Sequence, residues 1–208
     1  SLQRTYALSK LESAMMPAIQ VGLLVLVVTA PAFILFSQKG PGAMHAPWLI
    51  SLAAGLVVGG LSQFSRLCTV GGFRDLFLFK KSILIFGYLA VLIGVFVVNI
   101  SFGNFHLGFE NQPIAHTDGL WNFLGMALAG FCSVLLGGCP LRQLIMTGEG
   151  NSDSAVTVLG LAAGAAFAHN FGLAASGAGP TLNGEIAVGV GFVVAFIIAV
   201  LNTKRSNA

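Results

Sequence analysis

An apolar run from Leu120 to Leu136 is broken by Gly137-Gly138-Cys139-Pro140-Leu141-Arg142-Gln143. A run of that length approaches the ~20 residues a spanning helix needs, so the break falls in or near a membrane. Two glycines tolerate the positive φ that ends a helix, and proline suits the first position of a new one. Cys139 therefore reads as the junction of two helices, at the positive N-terminal end of the second. A thiol held there, three residues before the Arg142 guanidinium, can meet an anion. A short amphipathic segment and a polar turn, Gly148-Glu149-Gly150-Asn151, follow.

The design occurs twice. Gln63-Phe64-Ser65-Arg66-Leu67-Cys68-Thr69-Val70-Gly71-Gly72-Phe73-Arg74-Asp75-Leu76 again joins an apolar run, a cysteine, glycines and an Arg-x-Leu helix start, as Arg142-Gln143-Leu144 does later. The spacing predicts an internal repeat over approximately residues 48–102 and 120–174, within one polytopic membrane domain, residues 1–208. Composition agrees: 56% of the chain is hydrophobic and 8% charged, where soluble domains carry about a quarter charged residues. The 27 glycines, set among apolar neighbours, suit close helix packing and broken helices. A formal charge of +3 does not point to nucleic acid, and three cysteines without a C-x-x-C pair do not make a disulfide framework. The polar Ser1 to Ser13 argues against a cleavable signal.

Hydropathy predicts an all-α integral membrane protein with about six transmembrane helices, two of them running into broken-helix/short-helix repeats around Cys68 and Cys139. The spans are Pro17 to Phe36, Trp48 to Phe64, Ile83 to Phe102, Leu120 to Leu136, Ser154 to Ala174 and Ile186 to Leu201. Pro31 lies near the end of the first. Phe73 to Lys81 is read as a short helix, Asp118 as an N-cap, and Asn151, Ser152 or Asp153 as the cap of the fifth span. With the N-terminus inside, Arg4, Lys10, Arg66, Arg74, Lys80, Lys81, Arg142, Lys204 and Arg205 fall on one side and Lys39 on the other, a positive-inside split.

Cysteine is a common buried apolar residue, and packing is the plainer reading for Cys132, two turns up the helix face from Cys139. At Cys68 and Cys139 the helix breaks favour a substrate role, because broken helices at membrane depth line cavities or sites. Arg74 and Arg142 are read as sharing a position after their cysteines, as an anion-attracting vestibule, with Asp75 partly neutralising Arg74; a topology charge is the alternative for each. Gly71, Gly72 and Gly138 belong to the two breaks. His169-Asn170 reads as an interfacial pair or an ion contact. His45, His106 and His116 fall in loops without metal-ligand spacing, and no cofactor, phosphate-loop or nucleophile-elbow motif is present.

Taken together, the two motifs resemble those of the YeeE/YedE family of membrane transporters for sulfur-containing ions. Cys68-Thr69 through Phe73-Arg74-Asp75-Leu76 is similar to that family's second cysteine motif, and Gly137-Gly138-Cys139 to its third. Gly138 to Ile145, Gly148 to Ala155 and Ala168-His169-Asn170-Phe171-Gly172 resemble the YedE branch associated with selenium metabolism. The resemblance implies passage of a thiosulfate-like sulfur or selenium anion through a bilayer past cysteine thiols, by S–H hydrogen bonds and without covalent chemistry, in a bacterial or archaeal cytoplasmic (inner) membrane. The family's longer members carry an additional N-terminal half with its own Gly-Cys motif. Nothing before Trp48 supplies one, so the chain looks like a C-terminal half that pairs with an N-terminal half or with itself. Two rival classes stay open: a membrane thiol enzyme, such as a sulfurtransferase or disulfide oxidoreductase, and a non-transporting subunit of a larger transporter.

Overall fold

The computed structural model describes residues 10–29, 46–108 and 116–206. Arg4, Pro31, Lys39, His45 and Glu110 lie outside the described residues. Those described form eight helices and no strand, apart from one bridge between Ser176 and Gly179 in a turn. Six helices are long: α1 (Lys10–Thr29), α2 (Trp48–Ser65), α4 (Ile83–Ser101), α5 (Gly119–Leu136), α7 (Ser152–Asn170) and α8 (Leu182–Ser206). Two are short: α3 (Thr69–Phe79) follows α2, and α6 (Pro140–Gly148) follows α5.

Each span read from hydropathy holds a helix among the described residues; the first is described only to Thr29, and the fifth ends at Asn170 rather than Ala174. Four stretches are long and apolar enough to cross a membrane: Trp48–Phe79, Ile83–Ser101, Gly119–Gly148 and Leu182–Asn202. Two of these contain a break, so α2 with α3, and α5 with α6, make interrupted spans. Helix α7 is less apolar because Ser152, Asp153, Ser154, Thr157, His169 and Asn170 interrupt it. Helix α1 covers Lys10–Thr29, so Pro17, expected at the start of the span, sits inside it. The proline forfeits one backbone bond there, which apolar helices tolerate better than soluble ones.

The caps follow the sequence. Asp118 accepts from the Trp121 N–H at 3.2 Å and starts α5; Asn151 accepts from the Ser154 N–H at 3.0 Å and starts α7. Each satisfies a donor that the first turn of a helix leaves free.

Packing follows the repeat. Helix α3 lies against α4, α6 against α7, and α5 against α8, while α2 touches α6 and α3 touches α5. Each long helix before a break therefore meets the short helix that follows the other break. Burial is inverted relative to a soluble protein. Phe64, Leu56, Ile93 and Phe196 are exposed, whereas Ser62, Ser133, Gln143, Thr147 and Ser154 are buried alongside Cys68 and Cys139. The accessible surface is 15313 Å², against about 9,200 Å² for a compact monomer of this mass. So much apolar surface is stable only against lipid or other helices.

Candidate functional site

Both breaks are built by the same backbone device. Helix α2 ends with Arg66 in the left-handed region (φ 53°); its N–H bonds the Gln63 carbonyl at 3.2 Å, and the Leu67 N–H bonds the Ser62 carbonyl at 3.1 Å. Helix α5 ends with Gly137 (φ 77°), with the Gly137 N–H on Val134 and the Gly138 N–H on Ser133, both at 3.1 Å. These are Schellman turns, which satisfy the last carbonyls of each helix. Cysteine is the next residue but one after the left-handed position in both, and it is the N-cap of the short helix.

Helix α3 thus begins at Thr69, four residues before the expected start at Phe73. Gly71-Gly72 is not the break. Both glycines are helical and buried, because a side chain on Gly72 would meet the Ile85 backbone nitrogen at 3.3 Å, and one on Gly71 would meet the Cys68 sulfur at 3.3 Å. Glycine here serves the close approach of α3 to α4 rather than a turn. The turn belongs to Arg66, a residue whose type gives no hint of positive φ.

The two cysteines come together. Each is 7% exposed, and the two are neighbours where the junctions meet, α2 against α6 and α3 against α5. The Cys68 sulfur accepts the Gly71 N–H at 3.3 Å and faces the Cys139 N–H; the Cys139 sulfur faces the N–H groups of Thr69, Leu141 and Arg142. Two helix N-termini converge there, each with unsatisfied donors and the positive end of a dipole. The Gly71 N–H takes up a lone pair of the Cys68 sulfur, whose S–H can still donate. Cys132, half-buried on α5, has no part in this contact.

Two expected residues differ in role. Arg142 is the third residue of α6, with its side chain 20% exposed, 3.5 Å from Gln63 Oε1 and 3.5 Å from Glu149 Oε1. Arg74 is the sixth residue of α3, half exposed, and gives two bonds to Asp75 Oδ1 at 2.8 and 3.0 Å. The two arginines do not share a position after their cysteines: counted from the cysteine, Gly71 is the counterpart of Arg142, and Gly72 that of Gln143. Aligning the two Arg-x-Leu strings had set the register one helical turn off.

Sequence reasoning passed over five buried polar residues, among them Thr147, whose Oγ1 donates to the Gln143 carbonyl at 2.8 Å. Gln143 is 1% exposed; its Nε2 donates to the Leu136 carbonyl at 3.1 Å, tying the first turn of α6 to the end of α5. Gln143 Oε1 and Ser154 Oγ are buried without a protein partner. Ser62 and Ser133, both buried, stand six residues before their cysteines. That common spacing is the signal that would have marked them. Glu149, read as a turn residue, lines a groove of about 510 Å³ between α2 and α6, together with Gly55, Gly59, Gly60, Gln63 and Leu144.

This pair of cysteine junctions lies within a stretch, residues 64–203, that matches the family described as Sulphur transport. The chain belongs to that family. The resemblance to YeeE/YedE proteins is borne out by this match. The chain is also 30% identical over 111 residues to the thiosulfate transporter TsuA of Escherichia coli (strain K12), an alignment covering 51% of this chain and 30% of that protein. It thus spans less than a third of the length of that relative. No solved structure matches the chain. Family membership thus goes with four helical stretches, among the described residues, long and apolar enough to cross a membrane.

Proposed function

We propose that the chain conducts a small soft anion, thiosulfate or a sulfur or selenium compound like it, through the point where Cys68 and Cys139 meet. The observation that carries this reading is the convergence of two cysteine-capped helix N-termini on one buried spot. An arriving anion exchanges the thiol–thiol contact for two S–H contacts. The positive helix ends of α3 and α6 favour its charge. Polarizable sulfur faces polarizable sulfur or selenium, and each contact is weak, so the ion is not trapped. The thiols act protonated and unmodified; no bond to the cargo forms, and the protein is not an enzyme.

Arg142 supplies attraction at the entrance, on the α2–α6 side. Gly71, Gly72 and Gly138 let the two junctions approach, and Arg74 and Cys132 stand further from the path. The basic residues put both termini on the cytoplasmic side of a bacterial or archaeal inner membrane. The chain works beside a second helical bundle, an N-terminal half or another copy of itself. Supporting this are the uncovered surface, the open groove beside Gly55, Gly59 and Gly60, and the fraction of the relative's length that the chain spans.

The test is uptake of radiolabelled thiosulfate by liposomes holding the chain, alone and with a candidate N-terminal half. Saturable uptake, competed by selenium analogues more than by sulfate, is the expected result. Uptake in neither arrangement would sink the reading.

A further inference from the structure

We propose that Cys68 and Cys139 form an oxidisable dithiol, which a peroxide converts to a disulfide that shuts the anion path. The two cysteines cap the starts of α3 and α6, which meet where α2 touches α6 and α3 touches α5. Both side chains are buried there with no third thiol between them. Forming the ~2.05 Å bond of a disulfide draws the two helix starts together. The cysteines are not a C-x-x-C pair. They belong to different units of the repeat, so the crosslink pins the start of α3 to the start of α6.

The chemistry balances with hydrogen peroxide as oxidant. One cysteine thiolate attacks a peroxide oxygen, giving a sulfenic acid and releasing water once the leaving hydroxide takes a proton. The second thiol attacks that sulfenic sulfur, its proton and the hydroxyl leaving as a second water. Two sulfurs lose one electron each to reach the disulfide level, and the two peroxide oxygens gain them. A reduced thiol such as glutathione or dithiothreitol reverses the step by exchange.

Closure follows from what the disulfide lacks. Neither sulfur keeps a hydrogen, so both S–H donors disappear, and the junction loses the freedom to part around an ion. The gating arm rests on the anion-path reading above, whereas the crosslink itself does not.

The experiment treats the full chain in liposomes with hydrogen peroxide, blocks remaining thiols with N-ethylmaleimide, and records intact mass, peptide maps and thiosulfate uptake. The expected product is lighter by two hydrogens and carries a Cys68–Cys139 linked peptide. That peptide is absent from Cys68→Ser and Cys139→Ser and persists in Cys132→Ser. Uptake falls by at least about tenfold and returns with dithiothreitol. Cys68 and Cys139 both alkylated after peroxide, or a link to Cys132 instead, overturns the dithiol. A linked peptide with unchanged uptake overturns the gate. A chain that forms the linked peptide but carries no anion before oxidation, either alone or with the candidate N-terminal half, keeps the dithiol and refutes the transport reading.

Discussion

The Cys68 and Cys139 units share a plan and differ in what they place on it. Each runs long helix, Schellman turn, cysteine cap, short helix, second left-handed turn, long helix. The second turn is again a Schellman turn after α6, whereas after α3 the Lys80 and Lys81 N–H groups both reach the Asp75 carbonyl. In the first unit both turns put a basic residue in the left-handed region, Arg66 (φ 53°) and Lys80 (φ 54°); in the second they use glycine, Gly137 (φ 77°) and Gly150 (φ 87°). After the cysteine the choice reverses, with Gly71-Gly72 in the first and Arg142-Gln143 in the second. The first unit thus spends its glycines on packing α3 against α4 and accepts strained turns that carry charge. The second has relaxed turns and places a cation and a buried amide beside its thiol. Common geometry brings the cysteines together; unequal residues make one side tight and the other polar.

If the thiols act as one contact, Cys139→Ala and Cys68→Ala should each lower uptake by about tenfold or more, and the double variant should be little worse than either. Cys139→Ser, which keeps a donor without the soft sulfur, should retain part of the activity. Removing a small side chain at a helix junction costs little packing, so the amount of folded protein should hardly change. Flux measured in liposomes decides it. Additive losses, or normal uptake by Cys139→Ala, would mean that the sulfurs are merely packed together.

Steric change should separate the units next. Gly72→Val drives methyl groups into the backbone of Leu84 and Ile85, where even a Cβ would stand at 3.3–3.4 Å, and should destabilise by about 1–3 kcal/mol. Gly138→Ala meets only Arg142 and Gln143 side chains at 3.5 Å, an ordinary contact, and should be nearly neutral. Thermal unfolding in detergent compares them, and equal losses would end the distinction between a tight and a polar side.

Charge comes third. Arg142→Gln should slow uptake several-fold, because it removes a cation one turn from Cys139. Arg74→Gln should change it little, since Arg74 is half exposed, screened, and already bonded to Asp75. Equal and small effects would make Arg142 a topology charge.

The parts legible in the sequence were those fixed by local chemistry. Asp118, Asn151 and the Gly137-Gly138-Cys139-Pro140 junction announce themselves by residue type. Arg66 did not, because arginine adopts positive φ only where its surroundings impose it, and so the start of α3 was placed four residues late. Gly71-Gly72 misled for the complementary reason: glycine serves close approach as well as turns, and only the neighbouring helix decides between them. The meeting of Cys68 with Cys139 depends on how two distant units dock, and neither hydropathy nor spacing encodes that. Gln143 is a polar residue type with no local sign of burial, and only its bond to the Leu136 carbonyl at the end of α5 shows why it is enclosed.

The smallest effect tests the turns themselves. Gly137 and Arg66 occupy equivalent positions, both left-handed and both two residues before a cysteine. A side chain in this region crowds the adjacent carbonyl and costs roughly 1–2 kcal/mol relative to glycine. Gly137→Ala introduces that strain and should destabilise by about 1 kcal/mol. Arg66→Ala introduces none, because the arginine already bears it; what is lost is the favourable charge at the C-terminal end of α2, about 0.3–1 kcal/mol and less where salt screens it. High salt should therefore shrink the Arg66→Ala effect and leave that of Gly137→Ala unchanged. Arg66→Gly should remove the strain and gain back more than the lost charge, so it alone of the three raises stability. Chemical denaturation in detergent at low and high salt reads all three signs. If Gly137→Ala and Arg66→Ala lose equal amounts with equal salt dependence, the two turns are not the same device, and the repeat is only a resemblance of strings.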